Sequence, residues 1–148
     1  MLPTGPVEDD AALLVVTTSP LPDPLELRLP AEPELMPMVR HVLARWLRDR
    51  GASKTEVDDI ALASAEACAN AIEHAYSPGP QAFEIQATRA EARVSVTVSD
   101  FGQWRDPRGQ SRGRGMVLME GLMDSVDVER GESGSRVRLV RKLAAAPA

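Results

Sequence analysis

Glu66, Asn70 and His74 stand four residues apart in a stretch with helical patterning. At 100° per residue a helix brings all three to one side, with Asp59 and Glu73 beside them. Such a polar stripe is either a solvated face, as most are, or one wall of a site. A second polar group follows in the chain. Asp100 ends a run in which Val94, Val96 and Val98 alternate, and it shares their parity, so it is expected to face the core side. A buried carboxyl needs a hydrogen-bond partner, and one placed here could accept from the exocyclic amine of adenine. Gly102, two residues on, would allow close backbone approach, although Asp-x-Gly is also an ordinary strand-end turn. The third group is Gly113-Arg114-Gly115, directly before a short predicted helix. Glycines at a helix start leave backbone N–H groups and a positive helix end free for phosphate oxygens. Arg105, Arg108, Arg112 and Arg114 crowd the same loop, against the sign of the whole chain.

That chain is acidic, with formal net charge -5 and a sequence pI near 5.1. This argues against a protein that binds nucleic acid through its phosphate backbone. Its 148 residues, 43% of them hydrophobic, fit one soluble domain with a real core. No apolar run is long enough to span a bilayer, and no segment reads as a signal peptide. A single cysteine, Cys68, excludes an internal disulfide and a cysteine-rich zinc site. The expected compartment is the cytoplasm.

The elements that must position these groups follow from periodicity. Leu25, Leu27 and Leu29 alternate with charged residues, which predicts a half-buried strand. A helix comes next, with Pro33 near its first turn, Val39, Val42, Leu43, Trp46 and Leu47 on one face, and Gly51 at its end. The helix carrying Glu66 is expected over residues 54–76. Its packing face is read as Ile60, Ala61, Ser64, Cys68, Ala71, Ile72 and Ala75. Strands are expected over 83–88 and 93–99, a short helix over 116–123, and strands over 125–129 and 135–142. The predicted class is α+β, a two-layer sandwich with a mixed, mostly antiparallel sheet and helices on one face. Residues 25–143 form the domain, 144–148 a disordered tail, and the proline-punctuated residues 1–24 a linker.

Together these segments resemble the GHKL (Bergerat-fold) ATPases in their anti-sigma-factor kinase form. Glu66-Ala-Cys-Ala-Asn70-Ala-Ile-Glu-His74-Ala75-Tyr76 resembles the N-box of that family. Asp100-Phe-Gly102 resembles the next box, Gly113-Arg-Gly115-Met-Val-Leu-Met119 the glycine box, and Gly134-Ser135 the usual Gly-Thr. The resemblance covers residues 30–143. It implies ATP and Mg²⁺, with Asn70 on the metal and Glu66 as general base toward a serine or threonine hydroxyl. It also implies Asp100 on the adenine amine, Gly102 shaping the purine pocket, and Gly113 and Gly115 giving amides to phosphates. Ser135 would support Asp100 or the adenine through its hydroxyl, and Arg112 or Arg114 would offset charge on the transferred group. Ala71, His74, Met116 and Gly134 would complete the pocket, His74 by packing or hydrogen bonding.

Two features depart from that pattern: Trp104 stands where many members have a second glycine, and the lid between Gly102 and Gly113 is short. A sensor histidine kinase is disfavoured, since His41 lacks the acidic neighbour usual for a phosphoacceptor and His74 belongs to the N-box. The implied partners are a STAS-type anti-sigma-factor antagonist as substrate, a sigma factor, and a second copy of the chain, with neither nucleic acid nor membrane. A module that sequesters a sigma factor with little or no catalysis is the alternative. Residues 8–16, with Glu8, Asp9 and Asp10 leading into an apolar run, resemble the closing strand of PPM-type phosphatases. That likeness implies a phosphatase domain upstream, acting oppositely on the same antagonist.

Overall fold

A computed structural model describes residues 20–74, 81–101 and 113–144. Strand β1, Leu25–Pro30, alternates as its sequence demands, with Leu25 and Leu29 buried and Glu26 and Arg28 on the opposite face. A 3-10 turn at Pro33–Leu35 leads into helix α1, Met36–Asp49. Val39, Leu43, Trp46 and Leu47 recur at helical spacing and are its buried residues, while Val42 is half-buried. The helix stops at Arg50, followed by Gly51 at φ +84°, a left-handed conformation that costs glycine nothing. Its last turn also fastens the segment before β1. The Trp46 indole donates to the Pro22 carbonyl at 2.9 Å, and Arg50 donates to the Leu21 carbonyl at 2.7 Å. The Arg50 guanidinium lies 4.2 Å from the Trp46 ring centroid, a cation–π contact.

Helix α2, Lys54–His74, starts on a capping box. The Ser53 hydroxyl accepts from the Glu56 N–H at 3.2 Å, and the Glu56 carboxylate accepts from the Ser53 N–H at 2.7 Å. The other Glu56 oxygen accepts from the Ala144 N–H at 2.6 Å, which pins the end of the described chain to the start of α2. The packing face of α2 is Val57, Ile60, Ala63, Ser64, Ala67, Cys68 and Ala71. Ala61 and Ile72, expected on that face, are only half-buried, and Ala63 and Ala67 take their place. In a helix this rich in alanine, composition cannot distinguish the inner positions from the outer ones.

Four further strands complete the sheet: β2 at Ala82–Ala90, β3 at Arg93–Asp100, β4 at Ser125–Gly131 and β5 at Gly134–Lys142. Their order is β1-β2-β3-β5-β4, and every pairing among the described residues is antiparallel, with none of the parallel pairing a mixed sheet would need. Val94, Val96 and Val98 of the central strand are buried toward the helices, and the same parity carries Asp100 inward. Helix α2 lies against β2, β3 and β5, with α1 at one contact and helix α3, Arg114–Leu122, at another. The core between the layers is built on Trp46, Phe83, Leu43, Leu47, Ile60 and Ile85. The other sheet face is polar. There Arg28 pairs with Glu84 at 2.7 Å and Gln86 donates to Glu26 at 3.2 Å.

Burial alone would raise the Glu56 carboxyl. The N–H groups of Ala144 and Ser53, the Ser53 hydroxyl and the nearby Arg141 guanidinium outweigh it and hold the group below its usual 4.5. A depressed carboxyl stabilises the fold above its unfolded pKa, and that stability is lost as pH falls through the folded value. Glu56→Ala is therefore expected to cost about 1–2 kcal/mol at neutral pH. In urea titrations from about pH 7 to about pH 3, the gap between wild type and variant should narrow below about 4.5.

Candidate functional site

Two groupings make up the site. The first lies where β3 ends and β5 begins. Asp100 is buried, with 5% of its surface exposed, and faces Ser135 across the β3–β5 ladder. The Ser135 N–H donates to one Asp100 carboxyl oxygen at 3.2 Å, and the Ser135 hydroxyl donates to the other. This close approach requires glycine before the serine. Gly134 sits at φ +142°, and a Cβ there would overlap the Asp100 carbonyl oxygen and come within 3.0 Å of the Phe101 Cα. Both Asp100 carboxyl oxygens are thus held by one residue, through the amide and the hydroxyl of Ser135.

The second grouping lies between α2 and α3. Glu66 and Asn70, both half-buried, stand one helical turn apart at the border of the packing face of α2, and Ala71 beside them is buried. The cap residue of α3 is Gly113, which has no side chain to offer the first amides, and its carbonyl accepts from the Val117 N–H at 3.1 Å. The helix begins two residues earlier than the sequence suggests, so Gly115 lies inside its first turn. The reason is space. A Cβ at Gly115 would stand 2.5 Å from the Glu66 Oε1 and 3.2 Å from its Cδ, so only glycine lets the α3 backbone pass the carboxyl where it lies. Arg114 is exposed at the start of α3 and Met116 is half-buried against the core. His74 ends α2, but its side chain lies outside the described residues, as do Gly102, Trp104 and Arg112. Residues 1–19, which carry the phosphatase-like segment, lie outside them too.

Polar anchors place these groupings at the same end of the molecule. Glu56 of α2 meets Ala144, and Asp59 meets Arg141 at 3.2 Å, so α2 runs antiparallel to β5. Going up α2 from Asp59 to Glu66 and Asn70 therefore goes down β5 toward Ser135 and Gly134. The arrangement offers a carboxyl against a helix amino end that begins on glycine, a carboxamide one turn further along α2, and a buried hydrogen-bond acceptor at the strand ends. Cys68, on the buried face of α2, takes no part: burial pushes its thiol up to about 12. Sequence reading missed two anchoring residues. Glu56 was legible as the fourth residue of a Ser-x-x-Glu box. Arg141 carries no local signal, because its partners lie on other elements.

Residues 29–141 match the model of the histidine kinase-like ATPase domain family, and the chain belongs to that family. Among curated relatives, the serine-protein kinase RsbW of Bacillus subtilis (strain 168) is 32% identical over 139 residues, covering 82% of this chain and 86% of its own. RsbW of Staphylococcus epidermidis is 30% identical over 138 residues, covering 80% and 86%. Among solved structures, the RsbU and RsbW domains of Rv1364c from Mycobacterium tuberculosis superpose with a TM-score of 0.70 at 27% identity. That match covers 84% of this chain but only 34% of the larger one. The histidine kinase domain of a blue-light activated kinase from Erythrobacter litoralis shares the fold, with a TM-score of 0.52 at 21% identity, covering 78% of this chain and 62% of its own.

The two glycines should respond differently to a methyl group. Gly134→Ala meets backbone at a positive φ and is expected to cost about 1–3 kcal/mol of stability. Gly115→Ala meets a movable side chain in a helix, where alanine gains up to about 1 kcal/mol over glycine. Its unfolding free energy should stay within about 1 kcal/mol of wild type. Chemical denaturation of the two variants reads the contrast.

Proposed function

We propose that the chain is an ATP-dependent protein serine/threonine kinase that acts in the cytoplasm as an anti-sigma factor, phosphorylating a STAS-type antagonist and binding a sigma factor. The observation that carries this reading is the Glu66 carboxyl packed against the α3 backbone at Gly115, where a helix amino end that begins on glycine can hold phosphate. The kinship with serine-protein kinases supports the same reading.

In this mechanism Asp100, held by Ser135, accepts a hydrogen bond from the adenine amine. The first amides of α3 hold phosphate oxygens, and Arg114, with Arg112, offsets their charge. Magnesium is commonly held by one or two side-chain oxygens plus substrate phosphates, and the Asn70 carboxamide is a donor of that kind. When bound, the ion would neutralise charge on the triphosphate. Glu66 takes the proton of the acceptor hydroxyl as its oxygen bonds to the terminal phosphorus and the bond to the ADP oxygen breaks. Most of the rate gain comes from positioning and charge stabilisation. Glu66 adds the general-base share, about 10²–10⁴-fold. Gly102, Met116, Ala71, His74 and Gly134 would complete the nucleotide pocket.

Calorimetry with MgATP should show binding by the wild-type chain and none by Asn70→Ala. Phosphoryl transfer to a STAS-domain antagonist should fall about 10²–10⁴-fold in Glu66→Gln, with ATP binding kept. Binding of ATP and a sigma factor without transfer by the wild type would instead assign a sequestering module.

A further inference from the structure

Helices α2 and α3 are pinned to each other at two points, and only one of them belongs to the site just described. At one point Glu66 meets the backbone of Gly115. At the other, the Arg141 guanidinium reaches across from β5. Its Nη1 lies 3.2 Å from the Asp59 carboxylate in an ion pair and donates to the carbonyl of Leu122, the last residue of α3. Asp59 and Glu66 are seven residues apart on α2, and Gly115 and Leu122 are seven residues apart on α3. Seven residues make about two helical turns, or about 10 Å of rise, so both pins fall on the facing sides of two antiparallel helices. The matched spacing means that a shift at one pin must appear at the other unless a helix bends.

The energetics favour this second pin. A helix of nine residues is too short to persist by itself, and its free C-terminal carbonyls carry partial negative charge. A guanidinium there satisfies one of those carbonyls and opposes that charge. Arg141 and Asp59 expose only 23% and 26% of their side chains, so the pair is screened less than a surface ion pair. The turn after α3 is held to β5 as well, since Asp124 accepts from the Lys142 N–H and its own N–H donates to the Val140 carbonyl at 2.8 Å. The exposed start of α3, by contrast, touches α2 through a glycine and a movable carboxyl.

We infer that Arg141 and Asp59 are positioning residues for nucleotide binding: the clamp at the far end of α3 sets where its amino end lies beside Glu66. The inference rests on the proposed nucleotide site, and it predicts loss of ATP affinity from a change about two helical turns away from the phosphates.

The test uses the full chain and its variants Arg141→Met, Asp59→Asn and Arg141→Lys, read by MgATP calorimetry, transfer kinetics and hydrogen exchange without nucleotide. Both Arg141→Met and Asp59→Asn should raise the Kd and KM for ATP about tenfold, with kcat within about twofold of wild type. Amides of α3 should exchange faster in both, while those of β2 and β3 keep their protection. Arg141→Lys, which keeps a cation at the helix end, should recover most of the affinity. Faster α3 exchange with wild-type affinity would overturn the inference, leaving a purely structural clamp. Unchanged exchange and unchanged affinity would overturn it as well. A wild-type chain that binds no MgATP would sink the nucleotide reading and this inference with it, and the exchange data would still show separately whether the clamp holds α3.

Discussion

Taking a carboxyl out of water costs several kcal/mol unless hydrogen bonds replace its lost hydration. At Asp100 that requirement is met by Ser135, through its amide and its hydroxyl. Much of the architecture follows from satisfying it. Ser135 must face Asp100 in the β3–β5 register, which puts Gly134 where any side chain would strike the β3 backbone. The turn between β4 and β5 therefore has to end on glycine. Held this way, the carboxyl keeps a fixed orientation at the strand ends, which a hydrogen-bond acceptor for a flat heterocycle needs.

The helix layer applies a comparable logic to α2. Its first turn is tied to the end of the described chain through Glu56, its second to β5 through Asp59 and Arg141, and its middle presents Glu66 and Asn70. Alanines at 63, 67 and 71 let the helix sit close to the sheet, and a glycine at 115 lets α3 sit close to Glu66. Small residues thus set the distances, while polar anchors set the direction. Among the described residues no helix is long and apolar enough to cross a membrane.

The strands were legible because alternation is a strong signal. The parity of Val94, Val96 and Val98 carried Asp100 to the correct face without any structure. The candidate groups on α2 were legible for the same reason, since four-residue spacing places Glu66 and Asn70 on one side. The start of α3 was not. Glycines at 113 and 115 read as a loop, and only the bulk of Glu66, far away in sequence, explains a glycine inside the first turn. The buried side of α2 was only partly readable, because alanine is at home on either side of a helix. The long-range anchors, Arg141 to Asp59 and Glu56 to Ala144, depend on the tertiary fold and leave no periodic trace.

The proposed chemistry requires that the strand-end grouping and the α2–α3 grouping form a single nucleotide site. A crystal structure of the chain with magnesium and a non-hydrolysable ATP analogue tests this most directly. The adenine amine is expected within hydrogen-bond distance of Asp100, the phosphates on the first amides of α3, and the terminal phosphoryl group facing Glu66. A nucleotide bound elsewhere, or one whose adenine makes no contact with Asp100, would contradict it.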